Sequence, residues 1–197
     1  MEDFIQTIKV LDFKDLKIIN DYVDELNFSP CTVFSGNEEC AVNTSTRSSL
    51  GVTMDDNHPA TVLLNQKLND ALWKYRAALS KVSRVFEYYP VPGGYNTYSH
   101  REGIQILEYS IDQEYKFHHD VADEQNRREY HRQISVVLYL NDDFAGGGTE
   151  FIHKTYKPSP GYALIFPSNW CFPHSGQRVL SGKKRVAVTW YYIDLSS

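Results

Sequence analysis

The chain has 197 residues, 42% of them hydrophobic and 23% charged, which suits one globular unit with a sizeable core. A net charge of −5 argues against a general nucleic-acid binder, and no apolar run is long enough to span a bilayer. Cys31, Cys40 and Cys171 are odd in number and irregularly spaced, and the acidic start Met1-Glu-Asp-Phe does not read as a signal peptide, so reduced thiols in a cytoplasmic protein are expected.

Phe4 to Leu11 alternates well enough for a first strand. Asp15 is expected to open a helix in which Leu16, Ile19, Val23 and Leu26 share a face. From Asn27 to Asn57 the composition is Ser, Thr, Asn and Gly, and the segment reads as irregular. Pro59 is placed to start a second helix. Its stripe of Leu64, Leu68, Leu72, Tyr75, Leu79 and Val82 should lie against a sheet. After Tyr95 the short apolar runs at 104–109, 115–119, 133–140, 149–153, 161–166, 171–174 and 185–193 are separated by turn signals. Short strands after two helices predict a mainly β sandwich or barrel with helices on one face. One domain is expected, with 1–90 as a helical support region and 100–194 as the core.

The chemistry is concentrated in Tyr115-Lys-Phe-His118-His-Asp120. On a strand, residues i and i+2 face the same way, so His118 and Asp120 offer an imidazole and a carboxylate to one point. Two His and one carboxylate with open positions opposite is the non-haem Fe(II) oxygenase arrangement. A bare His-x-Asp is more often a polar strand end, so a distant third ligand is needed; His174 follows 54 residues after Asp120. Ten residues further on is Lys184, which by alternation shares a face with Val186, Val188 and Trp190, while Lys183 and Arg185 take the other. A lone cation among apolar neighbours needs an anion. The strand offers none, which favours a ligand carboxylate.

The order Tyr109…Gln113-Glu-Tyr115…His118-His-Asp120, Leu138-Tyr-Leu-Asn141, Gly146-Gly-Gly-Thr149-Glu, His174-Ser-Gly176…Lys184…Trp190 resembles the 2-oxoglutarate/Fe(II)-dependent dioxygenases, in particular their prolyl 4-hydroxylase branch, over roughly residues 100 to 194. The resemblance implies a double-stranded β-helix (jelly-roll) core with N-terminal supporting helices. It implies that His118, Asp120 and His174 bind Fe(II), and that Lys184 pairs with the 2-oxoglutarate C5 carboxylate, helped by the Tyr109 hydroxyl. Trp190 would line the co-substrate and substrate side, with Tyr115 and Arg132 toward the substrate. Strand alternation alone does not bring Tyr115 to the face of His118, since they differ by three; a bend must be assumed. The implied reaction hydroxylates a prolyl residue in a peptide or protein with dioxygen, releasing succinate and CO2, with ascorbate as an optional reductant. The alternatives are a hydroxylase of a free amino acid or other small molecule, and a non-catalytic binding or sensing module. No nucleic-acid or membrane partner is expected. The chain departs from the family's usual pattern at Asp112, where Gly is common, and at Arg178-Val179, where Pro-Val is common.

Other features read more plainly. Gly146-Gly-Gly148 lacks the Lys-Ser/Thr of a phosphate loop and reads as a tight turn. Cys171 near His174 has no second spaced thiol, so structural zinc is disfavoured. His119 should face away from the metal. Pro92 to His100 and the charged run Ala122 to Arg132, with Arg127 and Arg128, are expected to flank the site as closing loops.

Overall fold

The computed structural model describes residues 2–35, 39–87, 101–120 and 130–194. A 3-10 turn, Glu2–Phe4, precedes β1 (Gln6–Lys9) and α1 (Phe13–Val23). The helix opens earlier than Asp15, because the Asp12 carboxylate accepts the Asp15 N–H at 2.9 Å and caps it. Asp15 instead pairs with Lys67 of the second helix at 2.6 Å. Ile19 and Val23 are fully buried.

The segment expected to be irregular carries β2 (Ser29–Pro30), β3 (Val33–Ser35), β4 (Glu39–Ala41) and β5 (Leu50–Thr53). β5 is held by pairing with the next strand of the main sheet rather than by its own apolar pattern. At Gly51 a Cβ would lie 2.6 Å from the Cys31 sulfur and 3.3 Å from Leu107, so the close approach needs glycine. α2 (Pro59–Val82) has Pro59 in its first turn, and the His58 Nδ1 accepts the Ala60 N–H at 3.2 Å. Leu64, Leu68, Leu72, Tyr75 and Leu79 are buried as the stripe requires, whereas the last residue, Val82, is exposed.

The remaining strands are β6 (Gln105–Tyr109), β7 (Tyr115–His118), β8 (Tyr130–Tyr139), β9 (Phe144–Gly146), β10 (Thr149–Phe151), β11 (Thr155–Tyr156), β12 (Tyr162–Pro167), β13 (His174–Gly176), β14 (Val179–Gly182) and β15 (Lys184–Asp194). β9, β11 and β14 are too short to carry a readable period. A seven-stranded antiparallel sheet runs β1-β12-β8-β15-β6-β5-β2, and a four-stranded sheet runs β11-β10-β13-β7. The Gly146–Gly148 turn passes the chain from β9, which pairs with β14, to β10 in the four-stranded sheet. Gly146 and Gly147 take φ of 69° and 63°.

Alternation sorts the large sheet into two faces. Ile106, Ile134, Leu138, Ile165 and Ala187 pack with the α1 and α2 stripes. Leu107, Tyr109, Tyr139, Phe166, Val186 and Val188 join Phe151, Phe172 and Val179 between the sheets. Each fully buried Leu or Ile of these layers contributes on the order of 1.5–3 kcal/mol. The result is a jelly-roll sandwich backed by helices. The first 90 residues do more than support it, since β1, β2 and β5 belong to its main sheet.

Candidate active site

β13 pairs with β7 so that His174 lies opposite His118, their rings 4.4 Å apart. The Nδ1 of His118 lies 2.8 Å from the Lys116 carbonyl and that of His174 lies 3.1 Å from the Phe172 carbonyl. With each Nδ1–H donating to the carbonyl two residues back, both Nε2 atoms face inward. They approach Asp120, His118 Nε2 to Oδ1 at 3.4 Å and His174 Nε2 to Oδ2 at 3.6 Å. The three donor atoms lie within 4.8 Å of one another. Asp120 stands beyond the end of β7, where its N–H donates to the Ser168 carbonyl at 3.2 Å. Burial alone would push its carboxyl up, but His174, His118 and the Ser135 hydroxyl outweigh that and hold it well below the usual carboxylate range. Burial lowers the His174 pKa, keeping the imidazole neutral. Two imidazoles and one carboxylate, with no thiolate among them, fit Fe(II) with open coordination positions better than structural zinc.

Lys184 is the first residue of β15 and only 2% exposed. Its strand parity is as read. Lys183 and Arg185 face the helices and share Glu108, at 2.8 and 2.9 Å, while Lys184 has no carboxylate partner among the described residues. Its Nζ lies 5.1 Å from the ring centroids of both Tyr109 and Tyr139. Burial, and secondarily the charge of Lys157, pushes its pKa down to about 7. Tyr109 is directly opposite in the β6 ladder, its pKa raised by burial, which outweighs the opposing effect of Arg47 and Ser49.

A cavity of about 620 Å³ joins the triad to Lys184. Tyr115 lines it and stacks on His118, ring centroids 3.7 Å apart. The needed bend is a bulge: between the His174–His118 and Gly176–Tyr115 pairs, β7 advances three residues while β13 advances two. Trp190 and Arg132 share one wall, the guanidinium 3.7 Å over the indole. The Arg132 fork is engaged by Glu102, with Nη2 2.7 Å from Oε2, and its Nη1 donates to the Asp120 carbonyl at 3.4 Å, which leaves two of its five N–H donors. His119 is exposed at the rim.

Arg47 is a wall residue that the sequence reading missed. Residues 46–48 run along the free edge of β7, with Lys116 N–H donating to the Thr46 carbonyl and Ser48 N–H to the Glu114 carbonyl. This edge contact sets the Arg47 guanidinium 4.9 Å from the Tyr115 ring centroid, on the cavity wall. Nothing but a charge in a Ser/Thr-rich stretch marked it. Asp112, where the family prefers Gly, takes φ of 66°, a left-handed turn that Asp tolerates. The expected closing loops, Pro92 to His100 and most of Ala122 to Arg132 with Arg127 and Arg128, lie outside the described residues.

Residues 104–192 match the 2OG-Fe(II) oxygenase superfamily. Fold and triad agree with that match: over these residues the chain is similar to that superfamily and, among its relatives, to prolyl 4-hydroxylases. Prolyl 4-hydroxylase 1 of Arabidopsis thaliana is 34% identical over 137 residues, covering 57% of this chain and 46% of that protein. The chain matches less than half the length of its curated relatives. Among solved structures, viral collagen prolyl hydroxylase from Paramecium Bursaria Chlorella virus-1, as a 2OG complex, superposes with a TM-score of 0.67 at 19% identity, over 96% of each chain. A prolyl hydroxylase from Trichoplax adhaerens, in complex with a hypoxia inducible factor peptide fragment, also gives 0.67, at 18% identity over 99% of this chain and 88% of that one. At such identities the likeness is one of fold.

Proposed function

We propose that this chain is a 2-oxoglutarate- and Fe(II)-dependent dioxygenase that hydroxylates a prolyl residue in a peptide or protein. The observation that carries the reading is a single cavity with the His118–Asp120–His174 cluster in its wall and, in the same wall, the buried Lys184, which has no carboxylate partner among the described residues. His118, Asp120 and His174 would hold Fe(II), which supplies oxygen activation when bound. Lys184, charged and with Tyr109 beside it, would take the C5 carboxylate of 2-oxoglutarate. One oxygen atom of O2 goes to the substrate carbon and the other to succinate, with loss of CO2; ascorbate would serve as reductant.

A prolyl ring offers neither charge nor donor, so shape must hold it. Tyr115 and Trp190 supply flat apolar faces, and Arg47 supplies a donor for flanking carbonyls; Arg132 acts mainly by fixing the Trp190 ring. The names of the relatives, and the bound peptide of one structural neighbour, support proline as the target. Within this reading residues 100–194 carry the catalysis, with Arg47 contributed by the first half. Cys31 and Cys171 are free thiols, which suits a reducing cytoplasm, and no helix among the described residues is long and apolar enough to cross a membrane.

The test is incubation of the iron-loaded protein with 2-oxoglutarate and, in parallel, proline-containing peptides and free amino acids. A mass gain of one oxygen on a prolyl residue, dependent on both iron and 2-oxoglutarate, supports the proposal. Hydroxylation of a free amino acid alone transfers the reading to the small-molecule alternative. Metal and 2-oxoglutarate binding without turnover of any substrate in the panel would favour the sensing alternative.

A further inference from the structure

The triad is assembled from two sheets. His118 and His174 sit in the four-stranded sheet, but Asp120 is gripped by the seven-stranded one. Its N–H donates to the Ser168 carbonyl at 3.2 Å, and the Ser168 N–H in turn donates to the Gln133 carbonyl at 2.9 Å. On the side-chain side, the Ser135 hydroxyl of β8 donates to Asp120 Oδ2 at 2.6 Å and lies 2.8 Å from the Ser168 hydroxyl. Ser135 and Ser168 are each 1% exposed. The proton count orients the network. Ser135 has one O–H, given to the carboxylate, so Ser168 donates to Ser135. Two hydroxyls and two backbone bonds thus tie one metal-site residue to β8 and to the end of β12.

We propose that Ser135, backed by Ser168, is a positioning residue that occupies Asp120 Oδ2 and leaves Oδ1 to bind the metal. The proposal rests on the assignment of the triad as the iron site and goes beyond it by naming what sets the carboxylate's orientation. An unrestrained carboxylate rotates freely about its last torsion and can bind through either oxygen or both. Here one oxygen carries a buried, charge-assisted hydrogen bond, which fixes that rotation before any metal arrives. The His ligands have their own restraints in the Lys116 and Phe172 carbonyls. Ser135 supplies the matching restraint for the third ligand, and from the opposite sheet.

The test uses Co(II) as an optical probe of the metal-free protein, comparing wild type, Ser135→Ala, Ser135→Thr, Ser168→Ala and Asp120→Ala. Ser135→Ala is expected to weaken Co(II) binding about 10- to 100-fold and to alter its d–d spectrum as the carboxylate changes its binding mode. Ser135→Thr, which keeps the hydroxyl, should restore both. Ser168→Ala should shift both in the same direction by less, and it carries the test if Ser135→Ala does not fold. A merely structural role would lower the melting temperature of the metal-free protein and leave the spectrum of the folded fraction unchanged. Wild-type affinity and spectrum in Ser135→Ala, or in Ser168→Ala should it stand alone, would overturn the proposal while Asp120→Ala still loses the metal. Unchanged Co(II) binding in Asp120→Ala would instead overturn the triad assignment itself.

Discussion

Lys184 shows how far a single residue can be read. Its strand parity alone separated it from Lys183 and Arg185, and the two neighbours do share Glu108 on the outer face. Its own charge is left without a carboxylate among the described residues. Lys184→Ala should therefore raise the apparent KM for 2-oxoglutarate roughly 10- to 100-fold, since a charge-assisted bond to a carboxylate contributes about 1.5–3 kcal/mol. Lys183→Ala should change it little. Steady-state kinetics on both variants checks this, and equal effects would mean the wrong lysine has been assigned. The pH dependence follows from the pKa of about 7. The protonated form binds the dianion, so affinity should be level below that pH and fall about tenfold per unit above it, until the raised pKa of the complex is reached. Calorimetric titration of 2-oxoglutarate between pH 6 and pH 9 would show it, together with proton uptake on binding at the alkaline end. Arg47 marks the other limit: it reaches the cavity because residues 46–48 follow the edge of β7, and no local pattern foretells an edge contact with a strand 70 residues away.

At the scale of elements, what was legible depended on length. The long strands β8, β12 and β15 and the stripe of α2 carry their own period, because each presents several side chains to one face. The short β5, β9, β11 and β14 exist because a neighbour pairs with them, and pairing leaves no trace in the sequence, whereas the equally short β7, β10 and β13 lie in or beside apolar runs bounded by turn signals. The bulge in β7 was required by the position of Tyr115 but could not be located without its partner strand. Gly161 is another such junction. Its carbonyl accepts the Val10 and Leu11 N–H groups and its N–H donates to the Tyr139 carbonyl, tying β1 to β8 and β12. It takes φ of 81°, and a Cβ would lie 2.7 Å from the Leu11 carbonyl oxygen. Gly161→Ala should cost about 1–3 kcal/mol and lower Tm by about 3–10 °C in a calorimetric scan, with the metal site unaffected in the folded protein. An unchanged Tm would show that the junction relaxes easily.

Taken whole, the molecule is a scaffold that holds a weakly stabilising site. The core lies in two layers, helix on sheet and sheet on sheet, and the triad sits between the sheets, where the buried His174 packs on Phe151 and Phe166. His174→Ala should accordingly abolish turnover while costing only about 1–3 kcal/mol of stability, from lost contacts with Phe151 and Phe166. Circular dichroism melts beside an activity assay would separate the two effects; retained near-normal activity would remove His174 from the metal site. The central claim is that the cavity unites oxygen activation, 2-oxoglutarate binding and a prolyl substrate. Its most direct test is turnover of a proline-containing peptide under isotopically heavy O2, with Fe(II) and 2-oxoglutarate, followed by mass spectrometry of both products. The account predicts one heavy atom in a hydroxyprolyl residue and one in succinate, in equal amounts. Heavy oxygen in succinate with none in any peptide of the panel, or no labelled succinate at all, would contradict it.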